Sequence, residues 1–168
     1  MTGGMSVEVR AYLSVQHYQG LVYLSSEATR LREVLKADRS EQNRSAYRAI
    51  CVSGILTEVA FVEALINEIY ADIVDGGSEV KVRERAEVVR SKWRDGIPRG
   101  LKFSVLTKYE LLLDFLGKKP LKKGFRIVDN VDALIDLRNS LTHFRPENVV
   151  IMAADADKVT VQKLQRRL

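Results

Sequence analysis

From Ile50 to Ile73 the chain is apolar on nearly every side of a helix, and this stretch narrows what it can fold into. A helix that is apolar all round belongs in an interior, covered by other elements. The stretch lies within a longer helical pattern, from about Arg44 to Val74, that Asp75-Gly76-Gly77 ends. Further helices must cover it, and 168 residues are enough for one domain with a real core.

The rest of the chain supplies those helices. From about Ser6 to Lys36, apolar residues recur at helical spacing (Val9, Tyr12, Leu13, Leu21, Leu24, Leu31, Val34), with Gly20 a point where the helix can loosen or kink. The polar run Ala37 to Asn43 reads as the turn into the central helix. A third helix, about Glu79 to Trp93, with Ser78 able to cap it, alternates charge and is expected to face solvent. Asp95 to Gly100 is a loop, and a fourth helix follows at about Phe103 to Leu116. A fifth runs from about Asn130 to His143, and Pro146 breaks it. In the tail, Asn148 to Met152 reads as a short strand or an apolar docking segment, and Asp157 to Leu168 as a last basic helix. The expected fold is all-α. It is a single antiparallel bundle of about five helices over residues 1–168, with two long N-terminal helices, a core at about 6–145 and an ambiguous tail at 146–168.

Composition excludes several function classes. Cys51 is the one cysteine, so no intrachain disulfide can form; its apolar neighbours mark it as a buried thiol, in keeping with a reducing, cytoplasmic setting. No apolar run reaches the length of a membrane span, and Met1 to Met5 lacks the features of a secretion signal, so no membrane partner is expected. No Cys/His cluster, His-Glu-x-x-His, P-loop or Rossmann glycine pattern occurs, so neither a metal nor a cofactor is expected. Asp155 and Asp157 fit a loop or helix cap better than a cation site. A net charge of +5 mildly favours polyanionic partners.

Chemistry concentrates in Arg138-Asn139-Ser140-Leu141-Thr142-His143. On a helix Asn139 and His143 share a face, and the long Arg138 side chain, one position round, can reach the same place. A fixed cation, an amide and a near-neutral acid/base suit metal-free work on a phosphodiester. The bland reading is that Arg138 and His143 oppose the dipole at a helix C-terminus. A second constellation, Glu63 and Asn67, lies one turn apart in the apolar central helix; buried there, both need partners, and Arg138 is the natural cation. The connection from Gly117 to Arg126 holds Lys118, Lys119, Lys122, Lys123 and Arg126 and no acid, so it either tracks an RNA backbone, together with Arg145, or is a solvated loop. Trp93 and Tyr109 are candidates for stacking bases, though isolated aromatics more often belong to cores. His17 is read as structural.

These residues resemble the HEPN superfamily. The resemblance rests on Arg138-Asn139-x-x-x-His143 late in the chain, on Phe61-Val62-Glu63-Ala64-Leu65-Ile66-Asn67-Glu68 in the second long helix, and on the helix order over about residues 6–145. It implies a metal-independent endoribonuclease whose two copies form one composite cleft, with Arg138, Asn139 and His143 catalytic and Glu63 and Asn67 in support. It further implies attack of an RNA 2′-OH on the adjacent phosphorus, tRNA or single-stranded RNA as substrate, a role as a toxin or phage-defence effector, and room for an antitoxin or other regulatory partner. HEPN toxins paired with a nucleotidyltransferase antitoxin carry a tyrosine two residues after the histidine; Arg145 stands there instead, which argues against that regulation. The alternative is a non-catalytic HEPN-like helical module that binds a partner protein, a nucleotide or RNA.

Overall fold

The computed structural model describes residues 11–76, 85–96, 103–122 and 124–143. Within them the chain forms five helices and no strand: α1 (Leu13–Ala37), α2 (Glu41–Asp75), α3 (Ala86–Arg94), α4 (Val105–Phe115) and α5 (Arg126–Thr142). The all-α bundle expected from the periodicity is the fold observed. The expected tail elements beyond Pro146 and the cap at Ser78 lie outside the described residues.

The helix ends follow local chemistry. Ser40 opens α2 by accepting from the Asn43 N–H, and Asp38 accepts from the Ser40 N–H at 2.9 Å and the Asn43 amide at 2.8 Å. Gly76 closes α2 in the left-handed conformation that glycine adopts without a Cβ penalty. Ser104 caps α4 through the Thr107 N–H at 3.1 Å. α4 ends in a complete Schellman motif: Lys118 N–H to Leu113 O and Gly117 N–H to Asp114 O, both at 2.8 Å, with Gly117 at φ +63°.

α1 and α2 form an antiparallel hairpin. As α1 advances from Tyr12 through Ser14 and Tyr18 to Gly20, its partners on α2 step back from Asp72 through Glu68 and Phe61 to Thr57. Gly20 does not break α1; it faces Thr57 across the hairpin. α2 packs against each of the other four helices, as its apolar circumference requires. By length and composition α2 is apolar enough to cross a membrane, against the expectation that no apolar run has that length; Glu58 and Glu63 interrupt its apolar residues.

The main core gathers Ile66, Tyr70 and Ile73 of α2, Val89 of α3, and Leu112 and Phe115 of α4. Trp93 stacks on Tyr70 with ring centroids 5.5 Å apart. α3 is therefore more than the solvent-facing helix expected: Val89 is fully buried, while Glu87, Arg90 and Arg94 pair along the outer face. Cys51 is half-buried rather than buried. Burial pushes the Tyr70 hydroxyl well above its ordinary range and that of Tyr109 up to about 12. Both are held neutral and donate to backbone oxygens, Tyr70 to Lys108 O and Tyr109 to Val62 O. A folded pKa raised above the unfolded value near 10 means stability is complete below about pH 10 and is lost as pH rises towards 12. The urea midpoint falls between pH 8 and pH 11, and Tyr109→Phe shrinks that fall; an unchanged fall in the variant overturns the assignment.

The first turn of α1 is closed from a distance. Tyr12, at the N-cap, offers no side-chain cap, but Glu68 of α2 accepts from the Ser14 N–H at 3.0 Å and also from the Ser14 hydroxyl. The carboxylate also meets the positive end of the helix. Glu68→Ala leaves the Ser14 N–H without this partner and costs about 1–2 kcal/mol in denaturant unfolding; a loss below the error of the measurement contradicts the capping role.

Candidate active site

α5 presents two kinds of side. Val128, Val131, Leu134, Ile135, Leu137 and Arg138 are half-buried, and this side packs towards α2. Asn139, Ser140, Leu141, Thr142 and His143 are exposed at its C-terminal end. There the Ser140 hydroxyl donates to Asp136 O and the Thr142 hydroxyl to Arg138 O, so the hydroxyls turn back on the helix. His143 is the C-cap, its N–H donating to Asn139 O at 2.9 Å, and its imidazole is left in solvent.

The three motif residues do not share one face. At about 100° per residue, Asn139 and His143 are about 40° apart, while Arg138 is turned about 100° away from Asn139. Arg138 Nε is buried and has no hydrogen-bond partner among the described residues. A buried guanidinium nitrogen without an acceptor costs free energy, and its planar fork suits an oxyanion. Asn139 and His143 offer an amide and an imidazole on the outer side of the same turn.

Glu63 and Asn67 find a partner other than Arg138. It is Lys108 of α4, whose ammonium donates to Asn67 Oδ1 at 3.1 Å and lies 3.4 Å from Glu63 Oε1. The Lys108 side chain is 8% exposed and that of Glu63 is 40% exposed, so this ion pair is closed on the lysine side and open on the acid side. The signal was in the sequence: Val105, Lys108, Leu112 and Phe115 recur at helical spacing and are all buried, so a lysine occupies a core slot of α4. The long stem lets an ammonium reach the cleft edge from that slot.

The basic connection is as exposed as expected at Lys118, Lys119 and Lys122. Arg126, also exposed, belongs to the first turn of α5, which begins four residues before its expected start at Asn130. Lys123 and Arg145 lie outside the described residues. Neither proposed stacking residue is free for a base: Trp93 lies on Tyr70, and Tyr109 is tied to Val62 O. His17 is half-buried on α1. Among the described residues no group of three His, Cys, Asp or Glu side chains is placed to hold a metal ion.

Compared with protein-family models, with curated proteins and with solved structures, the chain matches none.

Proposed function

We propose that this chain is a metal-independent endoribonuclease of HEPN type, acting in the cytoplasm as a homodimer on tRNA or single-stranded RNA, with Arg138, Asn139 and His143 as its catalytic residues. The observation that carries the reading is the last turn of α5. An imidazole and an amide stand in solvent there, one residue from a guanidinium whose Nε has no partner among the described residues. In the reaction a base takes the proton of the 2′-OH, and the 2′ oxygen attacks the adjacent phosphorus. The bond from phosphorus to the 5′ oxygen breaks, and an acid protonates the leaving oxygen. The products are a 2′,3′-cyclic phosphate and a 5′-OH. His143 serves as base or acid, and the His143 of a second copy serves as the other. Arg138 offsets charge on the non-bridging oxygens, and Asn139 orients phosphate or imidazole. Glu63 and Asn67, held by Lys108, support the packing of α2 against α4 rather than the guanidinium.

Val15, Tyr18 and Val22 share one side of α1 and stand more than half exposed, which gives a second copy an apolar surface to cover. A toxin or phage-defence role, and an antitoxin or regulatory partner, belong to the same proposal. The test is incubation with total tRNA and with an unstructured RNA in excess EDTA, followed by end analysis. Cyclic phosphate ends support the reading, and cleavage that stops in EDTA overturns it. The second reading, a non-catalytic module binding protein, nucleotide or RNA, is favoured by the half-burial of Arg138 in a packed helix face. On that reading Arg138→Ala lowers stability or affinity and no turnover is seen.

A further inference from the structure

Phe125 is the large side chain this fold leaves in water with the least apparent reason. It is 60% exposed, and burying it would bring the ordinary gain of an aromatic ring. Its backbone, by contrast, is pinned. Its N–H donates to Lys122 O at 3.1 Å, and its carbonyl accepts from the Val128 N–H at 2.8 Å and the Asp129 N–H at 3.1 Å. The preceding residue is fixed too, Gly124 N–H donating to Asp129 Oδ1 at 3.1 Å. An aromatic ring on a rigid backbone has few torsions left to freeze when it meets a partner.

Charge identifies the partner. Lys118, Lys119 and Lys122 before the ring in the chain and Arg126 after it are exposed. No acid occurs from Gly117 to Val128, and the first one, Asp129, is engaged with Gly124. Cations on both sides of a free ring form the pattern that holds single-stranded nucleic acid: phosphates pair with the cations while a base stacks on the ring. A duplex offers no free base face to such a ring. We infer that the connection between α4 and α5 is a single-stranded RNA-binding surface with Phe125 as its base-stacking platform. The choice of RNA rests on the ribonuclease reading above. α5 separates this surface from His143 by roughly 27 Å at 1.5 Å per residue, and Asp129, Asp132 and Asp136 stand exposed between the two. An anionic lipid surface shares part of this chemistry, but Phe125 and Ile127 alone bury little in a bilayer without a second anchor.

The test uses the wild-type protein and a labelled, uridine-rich 2′-O-methyl oligonucleotide, which lacks the attacking hydroxyl and is not cut. Fluorescence anisotropy follows its binding, alongside a duplex of the same length. Phe125→Ala weakens single-strand binding roughly 5- to 100-fold and leaves duplex binding unchanged. Phe125→Trp binds at least as tightly as wild type, and Phe125→Leu, equally apolar but without a π face, behaves like alanine. Lys122→Ala lowers the salt slope by roughly 0.7, whereas Phe125→Ala leaves it unchanged. Circular dichroism checks that each variant keeps its helices. Phe125→Leu binding as tightly as wild type overturns the proposal. So does an equal loss for single strand and duplex, or Phe125-dependent binding to phosphatidylserine vesicles with none to the oligonucleotide. Phe125-dependent binding by a protein that never cuts RNA sinks the ribonuclease reading and leaves the platform standing; cutting by a protein whose binding ignores Phe125 does the reverse.

Discussion

Glu63→Ala destabilises the fold by about 1–2 kcal/mol, less than the breaking of a fully buried ion pair because the Glu63 side chain is 40% exposed and Asn67 still accepts from the ammonium. The variant leaves the Lys108 ammonium in a site where its side chain is 8% exposed, with Asn67 as its remaining acceptor. The reverse change is milder. Lys108→Met fills the lysine's volume in the α4 core slot, and Glu63, 40% exposed, turns to water, so the cost stays below about 1 kcal/mol. In Glu63→Ala/Lys108→Met most of the loss from the single Glu63 change disappears, because no unpaired ammonium remains. Urea midpoints at constant m-value measure all three. Equal costs for the two single variants contradict a lysine closed off from water, and a double variant as unstable as Glu63→Ala contradicts the pairing.

Arg138 responds in the opposite way. Arg138→Met keeps an apolar stem among the half-buried residues of α5 and removes a guanidinium that has no acceptor at Nε among the described residues. Stability therefore holds or rises slightly, while RNA cleavage falls roughly 100- to 1,000-fold, as for the loss of one donor to a developing oxyanion. Arg138→Lys does not rescue it, because a point charge lacks the planar fork. Parallel loss of stability and activity in Arg138→Met marks a packing residue and favours the binding-module reading.

Helix order and the centrality of α2 were legible because the period and the apolar circumference speak directly of burial. Boundaries were less so. α5 starts at Arg126, where the Gly124 N–H donates to the Asp129 carboxylate, a closure that the lysine-rich sequence around it does not signal. The apolar setting of Glu63 and Asn67 signals that both need a partner, but nothing in their spacing separates Lys108 from Arg138 as that partner. A lysine in a short helix reads as surface, and only its spacing with Val105, Leu112 and Phe115 marks Lys108 as a core position. Glu68 capping α1 across 54 residues has no local signal at all. At the candidate site the residue types and their placement on the last turn of α5 were readable. The turning of Arg138 towards α2 follows from helical phase, which the spacing to His143 alone does not weigh.

The proposed ribonuclease activity stands or falls on His143. The direct measurement is cleavage of total tRNA in excess EDTA by wild type and by His143→Ala, with both proteins matched in unfolding midpoint and the product ends identified. The wild type should leave 2′,3′-cyclic phosphate ends and the variant should cut at least roughly 100-fold less, since a positioned acid or base contributes that much or more. Because His143 is exposed, that loss should come without loss of stability. Equal cleavage by the two proteins, or cleavage leaving other ends, contradicts it.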